Sequence, residues 1–200
     1  MSGALLVGLG TGLISFIPYF GMLIGLITAI GISYFQFNDS VLILLVIAVF
    51  GVGGIGLSAI FGAKIHECSR IIAVDIEDEK LEMAKEFGAT DIINCLMEDP
   101  VKRIYQITDG QGVDYSIEAA GKAEVIESAF ESTKYNGGRC IIAGHPDCKE
   151  RIKLDPFDLI RGRKIEGSWG GECQPDRDIS MYVEYYKKGK FLLEKMISQI

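Results

Sequence analysis

The sequence predicts an α/β protein with a doubly wound parallel sheet, preceded by one or two apolar helices. Three observations predict this class. Segments with strand and helix patterns alternate from residue 41 onward, as in a series of βαβ units. A glycine-rich turn joins the first of these strands to the first helix. The charged residues, 20 Lys and Arg and 27 Asp and Glu, nearly all lie in the later part of the chain, since only Asp39 precedes Lys64.

The first 37 residues carry no charged side chain. A membrane helix needs about 20 mostly apolar residues, which Tyr19–Phe37 nearly provides, whereas Gly3–Ile17 is short and is followed by Pro18. We therefore expect one membrane crossing, and the alternative is that these segments pack as buried helices on the rest of the fold. A secretory signal peptide is not expected, because the N-terminus lacks Lys and Arg. The predicted organisation is an apolar segment, residues 1–46, and a domain, residues 47–200.

The first predicted strand lies in the apolar run Val41–Phe50, which is rich in β-branched residues. Such a run is typical of a strand buried on both faces of a sheet. The sequence LSAIFGAKI, which follows the glycine-rich turn, has helical character. This strand, turn and helix form the first βα unit.

The remaining elements alternate in the same way. In the predicted helix Glu77–Phe87, apolar residues recur near helical spacing, and Gly88 provides its end. The other predicted helices are Pro100–Thr108, Ala123–Lys134 and Ile179–Lys188, and the other predicted strands are Ile71–Asp75, Asp91–Asn94, Val113–Glu118, Arg139–Ala143 and Lys164–Trp169. Right-handed crossovers between such strands give a parallel sheet.

The turn after the first strand has the sequence Gly51-Val52-Gly53-Gly54-Ile55-Gly56, a GxGxxG motif. In this context Gly51 permits a tight turn, Gly53 leaves room for a pyrophosphate, and Gly56 allows the helix to pack closely on the strand. The N-terminus of the following helix offers N–H groups and a partial positive charge to phosphates. Packing alone is the alternative role of these glycines.

A second signal stands at the distance that a dinucleotide site requires. Asp75 follows Gly56 by nineteen residues and closes the strand Ile71–Asp75. A carboxylate there accepts hydrogen bonds from ribose hydroxyls and repels a 2′-phosphate, which favours NAD over NADP. The alternative is that Asp75 only caps the helix that follows. Together the two signals predict a Rossmann-type fold that binds NAD.

Charge and cysteine content exclude other classes. The net charge of −7 comes without a run of Lys and Arg, so we expect no nucleic-acid partner. Five cysteines form no CxxC pair, which argues against a zinc knuckle and a disulfide framework and favours reduced thiols in the cytoplasm. They are more often small buried side chains than nucleophiles, and they are Cys68, Cys95, Cys140, Cys148 and Cys173.

From Ile47 to about Ile197 the chain resembles the coenzyme-binding domain of zinc-dependent medium-chain alcohol dehydrogenases, near the glutathione-dependent formaldehyde dehydrogenase branch. The texts that carry the resemblance are AVFGVGGIGLSAIFGAKI, SRIIAVDIEDEKLEMAKEFGATDIIN, GVDYSIEAAG and the late GSWGG with DRDI. The resemblance implies hydride transfer between an alcohol and NAD. It also implies a homodimer formed through the last sheet strands, here Ile165–Trp169.

The resemblance also implies roles for individual residues. Gly51 to Gly56 hold the pyrophosphate, Asp75 and Lys80 hold the adenosine ribose, Ala120 lines the adenine and ribose side, and Ala143, Gly144 and His145 face the nicotinamide. A histidine beside a coenzyme suggests a proton relay, but the family has a small apolar residue at the position of His145. We therefore expect no catalytic residue here, and none at His66.

The family places its substrate and catalytic zinc in a separate N-terminal domain, and a catalytic zinc needs three protein ligands and an open position. This chain has two histidines and no GHE motif, so zinc ligands are expected to be absent and turnover slight or nil. The sequence thus suggests a truncated, chimeric or wrongly assembled chain rather than a designed or natural fusion. The alternatives are a membrane-anchored NAD-binding module without catalysis and a transporter fragment.

The N-terminal segment carries a resemblance of its own. The text IPYFGMLIGLITAI at residues 17–30 resembles a stretch of the polytopic permeases of the autoinducer-2 exporter family. The resemblance implies membrane contact through residues 1–37, and hence membrane association of an otherwise cytoplasmic domain.

Overall fold

The structure is a computed structural model that describes residues 45–191 and 193–196. The predicted membrane segment, the apolar helices before the sheet and the permease-like residues 17–30 lie outside the described residues. Within the described part, no helix is both long and apolar enough to span a bilayer.

The described residues contain a sheet of six strands in the order β3-β2-β1-β4-β5-β6. Each neighbouring pair is parallel, which confirms the predicted doubly wound α/β class. Because the strand order reverses between β1 and β4, their carboxyl ends flank a topological switch point. The strands are β1 (Val46–Phe50), β2 (Arg70–Asp75), β3 (Asp91–Asn94), β4 (Tyr115–Glu118), β5 (Arg139–Ile142) and β6 (Lys164–Gly167).

Helices connect these strands. In chain order they are α1 (Gly54–Ile65), α2 (Asp78–Phe87), α3 (Pro100–Ile107), α4 (Ala123–Glu131), α5 (Pro156–Ile160), α6 (Pro175–Lys187) and α7 (Leu193–Met196), with a 3₁₀ turn at Gly170–Glu172. The bounds of α3 follow from local chemistry. The Asp99 side chain accepts hydrogen bonds from the N–H groups of Val101 and Lys102, and Pro100 fits the first helical position.

The core lies on both faces of the sheet, and β1 shows why its sequence is uniformly apolar. Ile47 and Val49 belong to a cluster of buried residues shared with α1 and α2. Ala48 and Phe50 point to the opposite face and join a cluster shared with α3 and α4. Alternate residues of one strand thus pack into two different cores, as a strand covered on both faces requires.

In the middle of the chain, β4 and α4 are shorter than predicted by two and three residues. The strand predicted at Val113–Glu118 begins at Tyr115, and Val113 forms only an isolated bridge with Thr133. The helix predicted at Ala123–Lys134 ends at Glu131. There the Ser132 and Thr133 hydroxyls donate to carbonyls three residues earlier, and Thr133 leaves the helix for its bridge to Val113.

Three differences concern the C-terminal part. Helix α6 begins at Pro175, four residues before the predicted start at Ile179, because proline fits a first turn and the Asp178 carboxylate accepts from Gln174 N–H at 2.9 Å. Strand β6 ends at Gly167 rather than Trp169. Helix α5 had no counterpart in the prediction, although Asp155 caps it through the N–H of Phe157 at 2.8 Å.

Candidate functional site

The predicted site residues lie together at the carboxyl edge of the sheet. The glycine-rich turn follows β1, Asp75 ends β2, Ala120 follows β4, and Ala143 begins the loop after β5. Because parallel strands present their carboxyl ends at one edge, residues far apart in sequence meet there. The fold therefore brings these residues to one place, while their roles toward a coenzyme stay predictions.

The turn after β1 depends on two glycines. Gly51 has a φ of +91°, and a Cβ atom there would lie 2.8 Å from the main-chain nitrogen of Ala120. At Gly56, a Cβ atom would overlap the carbonyl oxygen of Gly51 and would also contact Val49 of β1. Gly51 therefore allows the turn and its close approach to the loop after β4, and Gly56 lets α1 pack against the turn and the strand.

The N-terminus of α1 faces open space. A Cβ atom added at Gly53 or Gly54 would meet no atom within 4 Å. The N-cap residue is Gly53, which has no side chain with which to cap the helix. The first N–H groups of a helix lack intrahelical acceptors and attract anions. Val52 is buried beneath this surface and Ile55 packs on the core. The turn thus presents bare main chain at a helix N-terminus, which is the kind of surface that binds phosphate groups in proteins.

Asp75 ties the ends of β1 and β2 together. Its side chain is 8% exposed, and Oδ2 accepts a hydrogen bond from the N–H of Val52 at 2.6 Å. Oδ1 accepts from the N–H groups of Ile76 at 2.8 Å and Glu77 at 3.1 Å. A carboxylate has about four acceptor positions, so one is left for a hydroxyl of a ligand.

Lys80 stands beside this carboxylate on α2. Its ammonium donates to Glu77 Oε1 at 2.7 Å. This hydrogen bond to Glu77 and the negative charge of Asp75 raise the pKa of Lys80 above its usual value. The lysine is therefore a cation at the edge of the site, where it can donate to a second hydroxyl or to a phosphate.

The loops after β4 and β5 pack against each other. A Cβ atom at Gly121 would lie 2.8 Å from the carbonyl oxygen of His145, so the two main chains are in contact. Ala120 and His145 are exposed. The His145 ring lies edge-on to Trp169, with ring centroids 5.9 Å apart, and Trp169 is itself exposed.

Glu118, the last residue of β4, was not among the predicted site residues. Its side chain is fully buried, and Oε1 accepts hydrogen bonds from the N–H groups of Ala120 at 2.8 Å and Gly121 at 2.6 Å. Burial raises the pKa of Glu118, and the hydrogen bonds from the loop partly offset that rise. The available signal was a carboxylate at the end of the short strand Tyr115–Glu118, next to a glycine-containing loop.

Among residues 45–191 and 193–196, no group of three or more His, Cys, Asp and Glu side chains could hold a metal ion. Cys140 is buried, and burial raises the pKa of its thiol to about 12, which keeps it protonated and unreactive at neutral pH. Cys148, in contrast, is exposed.

This chain also matches the model of a known protein family. The model of the family described as zinc-binding dehydrogenase matches residues 54–186, more than half of the chain. This match begins after residues 17–30, so it gives no support to the permease resemblance.

Individual relatives match over most of this chain but only part of their own length. Alcohol dehydrogenase-like 5 of Arabidopsis thaliana is 36% identical over 154 residues, which are 76% of this chain and 40% of that protein. The alcohol dehydrogenase class-2 isozyme 2 of Oryctolagus cuniculus is 40% identical over 153 residues, with the same coverage.

A solved structure agrees with these matches. The benzyl alcohol dehydrogenase of Acinetobacter calcoaceticus superposes with a TM-score of 0.76 and 32% identity, over 87% of this chain and 47% of that structure. This chain thus spans about 40% of the length of the curated relatives it matches. By its family match, its fold and its glycine-rich turn, the chain belongs to the zinc-binding dehydrogenase family.

Proposed function

We propose that this chain is the NAD-binding portion of a medium-chain alcohol or formaldehyde dehydrogenase, which holds the coenzyme during hydride transfer between an alcohol and NAD. One observation carries the proposal. The uncapped N-terminus of α1, with open space above Gly53 and Gly54, lies beside a carboxylate, Asp75, at the switch point of the sheet. A dinucleotide needs these two features, an anion site and a ribose acceptor, at this spacing.

Each part of the coenzyme has residues that suit it. The pyrophosphate would lie on the turn Gly51–Gly56, where main-chain N–H groups and the helix dipole favour negative charge. One hydroxyl of the adenosine ribose would donate a hydrogen bond to Asp75, and the other would accept one from Lys80. The carboxylate of Asp75 has one acceptor position left after its three main-chain hydrogen bonds, so we assign it one hydroxyl and assign the other to Lys80.

The nicotinamide end would lie on the loop Ala143–His145, with Ala120 on the adenosine side. Ala120, Ala143 and Gly144 offer main-chain groups and small side chains. Bound NAD would supply the hydride acceptor, and the residues of this chain would orient it at the edge of the sheet. We assign no proton transfer to His145, whose exposed ring contacts Trp169.

Coenzyme choice follows from the charge of Asp75. A 2′-phosphate placed on the adenosine ribose would meet this carboxylate, whereas a 2′-hydroxyl would donate to it. We expect the chain to bind NADH at least ten-fold more tightly than NADPH, which corresponds to about 1.4 kcal/mol.

Fluorescence titration with the two coenzymes tests this choice in the wild type, in Asp75→Asn, and in Asp176→Asn. Asp75→Asn removes the charge and one of the two acceptor oxygens, so both coenzymes should bind more weakly and the ratio of NADH affinity to NADPH affinity should fall toward one. Asp176 is an exposed carboxylate in the first turn of α6, and its variant should keep the wild-type preference. Tighter binding of NADPH by the wild type would contradict the assignment.

Turnover by the chain on its own is proposed to be slight. Hydride transfer requires the alcohol to be polarised and held close to the nicotinamide, and the residues assigned here serve the coenzyme. The alternative is a membrane-anchored or chimeric NAD-binding module without catalysis. Alcohol oxidation assayed with NAD and added zinc separates the possibilities, since ready zinc-dependent turnover would contradict slight activity.

We also propose that the edge of the sheet pairs two copies of the chain. β6 is an edge strand with a largely exposed sequence, and large apolar side chains nearby are exposed, Ile160 at 75% and Trp169 at 86%. Unpaired edge strands and exposed apolar groups favour association. Light scattering after gel filtration should give the mass of a dimer, and charged substitution at Ile160 should shift it toward the monomer.

The location of the protein is proposed from its thiols and its first residues. All five cysteines are free, which suits a reducing cytoplasm. Residues 1–37 have no charged side chain, which favours contact with a membrane. Flotation of the full chain with neutral phospholipid vesicles tests this contact, and failure to float would contradict it.

A further inference from the structure

Glu118 is a buried carboxyl group that the proposed function does not use. Glu118 is fully buried, and its Oε2 atom has no hydrogen-bond partner in the described structure. Charged side chains are almost never fully buried unless they are paired. Burial of this carboxyl group at the carboxyl edge of the sheet therefore costs free energy, which its contacts with the neighbouring loops must offset.

The side chain of Glu118 fixes the loop after β4. Its Oε1 accepts from the N–H groups of Ala120 and Gly121 at 2.8 and 2.6 Å. These two hydrogen bonds to one oxygen hold the main chain of the loop in one conformation. This conformation brings the nitrogen of Ala120 close to Gly51, where an added Cβ atom would lie 2.8 Å away.

The main chain of Glu118 fixes the loop after β5. Its carbonyl oxygen accepts hydrogen bonds from the N–H groups of Ala143 and Gly144, both at 2.8 Å. Gly144 also packs on the carboxyl group, because a Cβ atom there would lie 2.7 Å from Oε2. One residue thus holds both of the loops that converge beside the glycine-rich turn.

We propose that Glu118 is a positioning residue for the coenzyme. Its side chain sets the placement of the loop Ala119–Lys122 against the loop Ala143–His145, on which the nicotinamide would lie. This inference rests on the proposed function. Because Glu118 has no exposed surface, it acts through the main chain of these loops and touches no coenzyme. The adenosine half would be held mainly by Asp75 and Lys80, which lie across β1 at the end of β2 and on α2. Ala120 only lines that side, so the adenosine half depends less on Glu118.

The test compares two ligands, NADH and AMP, because AMP carries only the adenosine half of the coenzyme. In Glu118→Ala, which removes both acceptor oxygens, NADH should bind at least ten-fold more weakly, about the cost of one to two lost hydrogen bonds. The affinity of the same variant for AMP should stay within about two-fold of the wild type, which corresponds to about 0.4 kcal/mol. A general loss of structure would weaken both ligands alike.

Conservative variants make the test sharper. Glu118→Gln keeps the acceptor Oε1 and resembles the neutral acid that burial favours, so it should restore NADH binding to within about three-fold of the wild type. Glu118→Asp keeps the carboxyl group but is one methylene too short to reach both N–H groups, and it should weaken NADH binding while AMP binding persists. Glu131→Gln, at an exposed position of α4, is the matched control.

The outcomes separate this inference from the proposed function. Absence of NADH binding by the wild-type chain would overturn the proposed function and this inference with it. With the wild type binding, equal NADH affinity in the wild type and Glu118→Asp would overturn the positioning role alone. Parallel loss of AMP and NADH in the variants would assign Glu118 to stability and would also overturn it. If Glu118→Ala does not fold, the comparison of Gln with Asp decides.

Discussion

At the scale of single residues, Gly53 and Gly56 occupy the same motif for different physical reasons. The position of Gly53 opens to empty space, whereas a Cβ atom at Gly56 would overlap the carbonyl oxygen of Gly51. One glycine keeps a surface bare for a ligand, and the other keeps a helix close to its turn. Substitutions at the two positions should therefore affect different properties.

Gly56→Ala should lower the free energy of unfolding by at least about 2 kcal/mol, because the overlap with main chain can be relieved only by moving α1. Gly53→Ala should leave stability within about 1 kcal/mol of the wild type, since its Cβ atom meets nothing, but should weaken NADH binding. Urea unfolding and NADH titration measure the two effects. Equal losses of stability in both variants would contradict the distinction.

Glu118 should give stability a pH dependence of known sign. Burial raises its folded-state pKa, so its contribution to stability is complete below its unfolded pKa of about 4.3 and is lost as the pH rises through the folded value. Among the titratable groups around it, Glu150 raises its pKa further, and the buried Cys140 stays neutral. Lys122 and His145 are exposed in the loops beside it.

Because glutamine does not titrate, Glu118→Gln should gain stability relative to the wild type as the pH rises from 4 toward neutrality. Urea unfolding of both proteins at a series of pH values gives this difference directly. Glu131→Gln corrects for the loss of one carboxyl group at an exposed position. A difference that does not change with pH would mean that Glu118 ionises as readily in the folded chain as in the unfolded one.

The residues that could be predicted from the sequence are those whose signal is local. The glycines of the turn and Asp75 stand at fixed spacing in the chain, and the structure places them where the spacing indicated. Glu118 could not be predicted in the same way, because its partners are main-chain N–H groups of a loop and its burial comes from β1 and β5. Its position at the end of a strand was a local signal, but a carboxylate at a strand end is ordinarily exposed, so that signal does not indicate burial.

At the scale of elements, Arg163 joins three helices that the sheet alone does not bring together. Its guanidinium is nearly buried and donates from Nε to the carbonyl oxygen of Thr133 at 2.9 Å. It also pairs with Asp158 of α5 at 2.6 Å. Its Nη2 donates to the hydroxyl of Tyr105 in α3 at 2.6 Å and to the carbonyl oxygen of Glu131 in α4 at 2.8 Å.

Arg163→Met should lower the free energy of unfolding by at least about 2 kcal/mol, because it leaves the half-buried carboxylate of Asp158 and the carbonyl oxygen of the buried Thr133 without their donor. Arg163→Lys should recover only part of this loss, since one ammonium cannot span the same acceptors. Arg161→Met is the control, because Arg161 is exposed and stacks on Phe157. Thermal and urea unfolding measure these effects, and a loss for Arg163→Met no larger than for Arg161→Met would contradict the role.

The helices that could be predicted are those whose ends have local signals in the sequence. Helices α2 and α3 have clear stop or cap residues and lie within one residue of their predicted bounds. Helix α5 has only five residues, too few for a hydrophobic period, although its Asp155-Pro156 start is a recognisable signal. The end of α4 depends on the bridge between Thr133 and Val113, a tertiary contact that no local pattern indicates.

At the scale of the whole molecule, the described chain is a sheet covered on both faces, with its proposed site at the edge where the strand order reverses. Alternating strands and helices were enough to predict the class. The order of the strands was not predicted, because it depends on which side of β1 each later strand is added. The chain spans about 40% of the length of its curated relatives, and the proposal concerns the coenzyme alone.

The most direct measurement is an NADH titration of the full chain followed by the chemical shifts of its backbone amides. The account predicts saturable shifts concentrated in four segments, residues 51–56, 75–80, 119–122 and 143–145, with the largest at the N-terminus of α1. The amides of α5 and β6 should move little by comparison. Saturable binding with shifts elsewhere, or no shift up to millimolar NADH, would contradict the assignment of a dinucleotide site to the switch point of this sheet.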